Sequence, residues 1–212
     1  EGSLRNLELD GGKSSVNRSP GSGVHVASFV GELRDGGSIA NVRSSVEVRA
    51  ASESATAGGL VGKMAGGAVS NAHAYGPVTA KALGVGVNAS SMAGGIAGEV
   101  QWGSITDTTA HTTVTSSAYA INLKGKPPVQ ALSFVGGGIG SNADGFFANL
   151  TFAGQVRDES VGKTRVSIDD AIGNDHSARL GEAKHLRAAQ RATGFQDSFI
   201  VPGDFPDMAP AA

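Results

Sequence analysis

The sequence predicts an all-β chain wound as a right-handed parallel β-helix of three-strand coils, closed by a C-terminal α-helical or irregular cap. Three observations predict it. A Gly-x-(apolar)-x-Asn pattern occurs at Gly2, Leu4, Asn6; Gly37, Ile39, Asn41; Gly67, Val69, Asn71; Gly103, Ile105, Asp107; and Gly145, Phe147, Asn149. The copies lie about 30 to 42 residues apart, a period that belongs to solenoids and arrays. Seven residues after each of the last four Asn or Asp positions stands a valine: Val48, Val78, Val114 and Val156. Glycine supplies 32 of 212 residues and aromatics only 5%, so small side chains must pack closely in place of a core of large rings.

Each element follows from side-chain phase. In the first copy Leu4 points inward, Arg5 outward, Asn6 takes a corner, and Leu7 and Leu9 point inward again. The strand period of two holds on either side of the Asn and slips by one across it. The later copies repeat the slip, with inward series Val42, Ser44, Val46, Val48; Ala72, Ala74, Gly76, Val78; Thr108, Ala110, Thr112, Val114; and Leu150, Phe152, Gly154, Val156. A third strand precedes each pair, at 29–33, 60–64, 96–100 and 138–142. Crossovers between parallel strands are right-handed, which sets the hand of the coil. Asn and Asp tolerate the bend conformation and bond locally, so Asn6, Asn41, Asn71, Asp107 and Asn149 are expected to stack as a ladder. Residues 49–59, 79–95 and 115–137 read as insertions from one corner, forming either a binding edge or Ala-, Ser- and Gly-rich spacers. Residues 163–168 alternate like one further strand and complete a solenoid over 1–168. Residues 169–212 form the cap or a bridge, with a helix over 181–193 ended by Gly194, because a solenoid needs its last coil covered.

Composition narrows the function. A net charge of −2, a pI near 6.2 and scattered Lys and Arg argue against nucleic acid. The absence of cysteine excludes disulfides, thiolate zinc sites and a Cys nucleophile. No apolar run approaches about 18 residues, so no membrane insertion is expected. The chain begins inside a repeat without an initiator Met, and it reads as part of a longer polypeptide.

Candidate functional residues are few. His73 and Tyr75 face outward by phase, as does His111 one repeat later, and Tyr75 and His111 share a column. They form either a sugar-binding pair or a satisfied surface contact. Trp102 at a bend either stacks on a sugar ring or folds back over the neighbouring coil. Glu32, Lys63 and Glu99 make an outward ion column. No column carries two acids in successive coils, Asp169 and Asp170 point apart, and HExxH is absent, so no catalytic constellation is read. Gly136, Gly137, Gly138 and Gly140 lack the Lys-Ser/Thr of a phosphate loop. No cofactor is expected. Asn142, Asp144, Asp204 and Asp207 form either a calcium site or a polar turn, and the absence of EF-hand or nonapeptide spacing favours the turn.

The stretch GGLVGKMAGGAVSNAHAYGPV over 58–78 resembles the GLUG motif in Gly58 to Gly62, Gly67, Val69, Asn71, Gly76 and Val78. Residues 28–48 and 92–114 match it more loosely, and 136–156 keep Phe147, Asn149, Gly154 and Val156. The resemblance covers about residues 1–156. Repeats of this kind occur in bacterial filamentous-haemagglutinin-like adhesins and in the non-catalytic region of immunoglobulin-A-directed metalloproteases. The resemblance implies a secreted or cell-surface module that binds a glycan or protein on a host or matrix surface. The competing reading is a carbohydrate-active β-helix enzyme, or an accessory substrate-presenting part of a secreted protease.

Overall fold

A computed structural model describes residues 2–17, 23–160, 164–169, 172–175 and 198–200. Among these residues all regular structure is β-strand. In chain order the strands are β1 (Ser3–Leu9), β2 (Lys13–Asn17), β3 (Gly23–Val26), β4 (Val30–Arg34), β5 (Ser38–Ser44), β6 (Glu47–Ser52), β7 (Ser54–Gly58), β8 (Val61–Ala74), β9 (Val78–Val85), β10 (Ala89–Gly94), β11 (Ala97–Ile121), β12 (Ala131–Gly136), β13 (Ile139–Asp158), β14 (Thr164–Asp169), β15 (Ile172–Asp175) and β16 (Ser198–Ile200). An 11-stranded sheet follows the path β1-β5-β8-β11-β9-β6-β2, with β4 on β8, β13 on β11, and β15 and β16 on β13. A 5-stranded sheet runs β14-β12-β10-β7-β3. Every pairing is parallel except that of β13 with β16.

Register turns the sequence repeat into columns. Leu4, Ile39, Val69, Ile105 and Phe147 pair in succession along the first sheet. Val42, Ala72, Thr108 and Leu150 do the same beyond the Asn corner, and Val48, Val78, Val114 and Val156 form a third column. Parallel neighbours lie about 4.8 Å apart, so each branched side chain packs on its equivalents above and below. Ile39, Val69, Ile105, Val48, Val78 and Val114 are all buried. Burial of each such side chain stabilises the fold by roughly 1.5–3 kcal/mol.

Three expectations are corrected. The third strand and the Asn-jointed pair do not remain separate: β8, β11 and β13 each run continuously through the Asn or Asp. The spans 49–59, 79–95 and 115–137 are not insertions. They carry most of β6 and β9, the end of β11, and all of β7, β10 and β12; the first gain in length lies mainly in β9, which runs further than β6, and the second in the connection, which grows from 86–88 to 122–130. Their burial escapes a hydropathy reading because their inward residues are small, among them Ala55, Ala57, Ala80, Ala82, Ser91, Ala93, Ser116 and Ser133. Leu7 and Leu9, expected inside, are exposed, since β1 has β5 on one side and no strand on the other among the described residues. The expected strand over 163–168 corresponds to β14, paired with β12. The helix over 181–193 lies outside the described residues.

The two sheets meet through hydroxyls. Ser91 Oγ of β10 donates to the Ala80 carbonyl at 2.9 Å and lies 2.8 Å from Ser116 Oγ of β11. Ser133 Oγ of β12 reaches Ser116 Oγ at 2.8 Å and Asp158 Oδ1 at 2.6 Å, and Ser160 Oγ donates to the same carboxylate oxygen at 2.8 Å. Ser91, Ser116 and Ser133 have no exposed surface, and a buried polar chain of this kind stabilises only while every member is satisfied. Gly58 and Gly94 close the passage from the second sheet back to the first. A Cβ on either would strike the carbonyl oxygen of Val61 or Ala97 respectively.

Ser116→Ala removes the central hydroxyl and leaves Ser91 and Ser133 without it. The expected loss is about 1–3 kcal/mol of unfolding free energy, read from urea denaturation. An unchanged midpoint would show that the hydroxyl chain does not hold the sheets together.

Candidate binding surface

The Asn corner aims the surface residues. Asn6, Asn41, Asn71, Asp107 and Asn149 all adopt φ between 46° and 57°, the left-handed conformation that Asn and Asp reach at lower cost than other side-chain-bearing residues. This bend reverses side-chain phase within a continuous strand. Ala72 and Ala74 therefore turn inward, while His73 takes an outward position. The corner side chains bond in file: Asn41 Nδ2 donates to Asn6 Oδ1 at 3.2 Å, Asn71 Nδ2 to Asn41 Oδ1 at 2.8 Å, and Asn149 Nδ2 to Asp107 Oδ1 at 2.8 Å. Each donor points toward the preceding repeat. An ionised Asp107 has no N–H to give Asn71, and the file breaks there.

Beyond the corner, Glu8, Arg43, His73, Thr109 and Thr151 occupy one registered row. Tyr75 follows His73 by two residues, and His111 follows Thr109 likewise. The rings of Tyr75 and His111 stack with centroids 5.7 Å apart and planes 13° from parallel. Arg43 lays its guanidinium 5.0 Å from the Tyr75 centroid, and its other flank faces Glu8 at 3.8 Å. A charged and aromatic file therefore crosses four repeats as Glu8, Arg43, Tyr75 and His111. A groove of about 320 Å³ lies against Asn6, Asn41, Asn71, Glu8, Arg43 and His73. A second, of about 500 Å³, lies against Tyr75, Pro77, His111, Thr113 and Ala153.

Burial lowers both histidines below the usual imidazole range. For His73 the cationic Arg43 and neighbouring His111 push in the same direction. His73 Nδ1 is buried with no hydrogen-bond partner. At neutral pH the surface thus presents uncharged imidazoles, one guanidinium, one phenol and one carboxylate. Among the described residues, Glu8 is the only acid against the two grooves. Glycoside hydrolysis in its usual form needs a pair of carboxyl groups across the scissile bond, which this file does not supply. What it can do is stack and hydrogen-bond.

Trp102 stands apart, on the other side of the corner. Its Nε1 donates to Asp35 Oδ1 at 3.1 Å, so the indole folds back over the preceding repeats while about half of it stays exposed. Gly66 makes room: its φ is +105° and a Cβ there would strike the Asp35 carboxylate. In the ion column Lys63 pairs with Glu99 at 3.7 Å, whereas Glu32 turns to Arg34 at 3.1 Å. His25, missed by sequence reading, abuts this column. Its pKa is lowered by burial and by Lys63, against the opposing pull of Glu99 and Glu32. Asn142 Oδ1 accepts the Gly145 N–H at 2.8 Å and so serves the turn around Asp144. Asp204 and Asp207 lie outside the described residues. Arg43 and Asp35 were also missed. For Arg43 the available signal was its place two residues after Asn41, matching His73 after Asn71. Asp35 had no such signal, because its partner lies 67 residues away.

The chain matches no protein-family model, no curated protein and no solved structure.

Asp107→Asn restores a donor toward Asn71 and should raise stability by about 1 kcal/mol at neutral pH, seen as a higher urea midpoint; a lower midpoint would refute the directional file. The histidines carry a separate expectation. Their folded pKa values lie below the unfolded value of about 6.5, so the unfolded chain binds protons first and the folded state loses stability as pH falls. Stability should be constant above about pH 7 and decline below about 6.5, and His73→Asn with His111→Asn should flatten the decline. An equal decline in the double variant would place its origin elsewhere.

Proposed function

We propose that this chain is a non-catalytic binding module of an extracellular bacterial protein, secreted or held at the cell surface, built as a right-handed parallel β-helix of GLUG-like repeats. It serves as an adhesin stalk or as a contact surface for a glycan or protein of a host or matrix. The parallel ladders linking successive repeats and the common corner column support the β-helix reading. The antiparallel seating of β16 on β13 supports a C-terminal cap.

The observation that carries the binding reading is the Arg43–Tyr75–His111 file. Two rings and a guanidinium are stacked in one file, Arg43 on β5, His111 on β11 and Tyr75 one residue past the end of β8, and a site held by its own packing loses little freedom on engaging a ligand. Arg43 and His111 cover the two faces of Tyr75, so the file offers a glycan ring edges, a guanidinium and a phenol for its hydroxyls. Thr113 and the imidazoles beside it supply hydrogen bonds. Trp102, fixed along its edge by Asp35, offers a second ring.

A glycan array followed by a reducing-sugar assay on each bound glycan tests the reading. Binding without product is expected. Tyr75→Ala should weaken it about three- to tenfold, equivalent to about 0.5–1.5 kcal/mol. Release of reducing ends would overturn the non-catalytic assignment. Binding untouched by Tyr75→Ala and Arg43→Ala would overturn the site.

A further inference from the structure

The end of the β9–β11 pair carries an apolar tip that the binding file does not use. β6 ends at Ser52, opposite Ala82, and the β13 ladder ends at Asp158, opposite Ser116. The β9–β11 pair runs on past both neighbours, with Leu83 against Tyr119 and Val85 against Ile121. Strand phase sends all four side chains outward. Val87 and Leu123 join them from the connections 86–88 and 122–130. Leu123 lies over Gly86, whose φ of +70° and lack of a Cβ admit it. Six of the eleven exposed large apolar side chains among the described residues belong to this tip, each 37–52% exposed.

The turn beside the tip is cationic. Lys124 and Lys126 flank a tight turn closed by the Lys126 N–H on the Leu123 carbonyl at 3.1 Å, with Gly125 at φ +79°. Both lysines are exposed. Lys81 lies on the same outward row as Leu83, 3.7 Å from Glu159. Glu159 pairs with Lys81, and Glu53 lines the same groove as Leu83, Val85 and Tyr119, so among the described residues the unpaired positive charge of the tip rests on the turn of Lys124 and Lys126. Soluble surfaces rarely gather apolar side chains without a partner for them. Aliphatic residues flanked by a tyrosine and lysines match the acyl boundary of a bilayer: the aliphatics enter, the phenol sits at headgroup depth, and the ammonium groups meet phosphate and carboxylate.

We propose that this tip docks on an anionic phospholipid surface, with Leu83, Val85, Ile121 and Leu123 entering the interface and Lys124 and Lys126 engaging the headgroups. The docking is peripheral, involves no spanning segment, and does not rest on the glycan-binding reading.

Co-sedimentation of the full chain with two vesicle types tests it: phosphatidylcholine alone, and phosphatidylcholine with about 30% phosphatidylserine. Partition onto the anionic vesicles is expected, weakening at high salt. Lys124→Gln with Lys126→Gln should lower it roughly thirtyfold, since each lysine near such a surface contributes about 1 kcal/mol. Leu83→Ser with Leu123→Ser should lower it at least as far. All four positions are exposed, and retention of fold is checked by circular dichroism. No partition, equal partition on both vesicle types, or partition unaffected by either double variant overturns the proposal. Loss with the lysine variant alone, leaving the leucine variant unchanged, also overturns it. That outcome would indicate an acidic partner bound at the surface without insertion.

Discussion

Left-handed backbone at five Asn and Asp residues is the constraint on which the rest of the structure depends. A strand alternates its side chains strictly, and a continuous strand such as β8 would otherwise bury either Val69 or Ala72, but not both. The corner at Asn71 resets the alternation, so both are buried. Each such corner costs backbone energy for a residue with a Cβ. The amide-to-amide bonds along the file offset part of that cost wherever two amides are adjacent. The outward placement of Arg43, His73 and Tyr75 is a consequence of the same reset.

The two sheets are held by different forces. In the first, columns of Val, Ile, Leu and Phe repeat through successive neighbours, and the stabilisation scales with the apolar area removed from water. The second sheet has alanine and serine at most inward positions of β7, β10 and β12 and leans on hydroxyl contacts with β11. Arg43 and His111 sit on strands of the first sheet whose inward faces are locked by those columns, with Tyr75 one residue past the end of β8. The apolar tip instead lies where the β9–β11 pair has outrun its neighbours, so among the described residues its outward side chains have no flanking strand to lie against.

Legibility in the sequence followed the size of the buried side chain. The repeat, the corners and the valine column were readable because large aliphatics and Asn recur at fixed spacing. The second sheet was not, since Ala, Ser and Gly occur as readily in loops as in a close-packed interior. Leu7 and Leu9 carried the inward phase of later copies, yet burial also requires a neighbour on each side, and among the described residues β1 has one. For the binding surface, Tyr75 and His111 could be placed in one column from spacing. That Arg43 would lie over the tyrosine, and that Trp102 would reach Asp35, depended on how side chains cross between repeats.

The sequence by itself determined strand phase, the position of every corner and which residues stand in the main columns, because these are properties of local spacing and backbone preference. Only the tertiary structure decided that the alanine-rich spans form a second sheet, that Asp107 interrupts the amide file, and that Leu83, Tyr119 and Leu123 share one exposed tip. Each of these depends on which chemically ordinary residues meet across 30 or more positions of chain, and spacing within one strand carries no record of that.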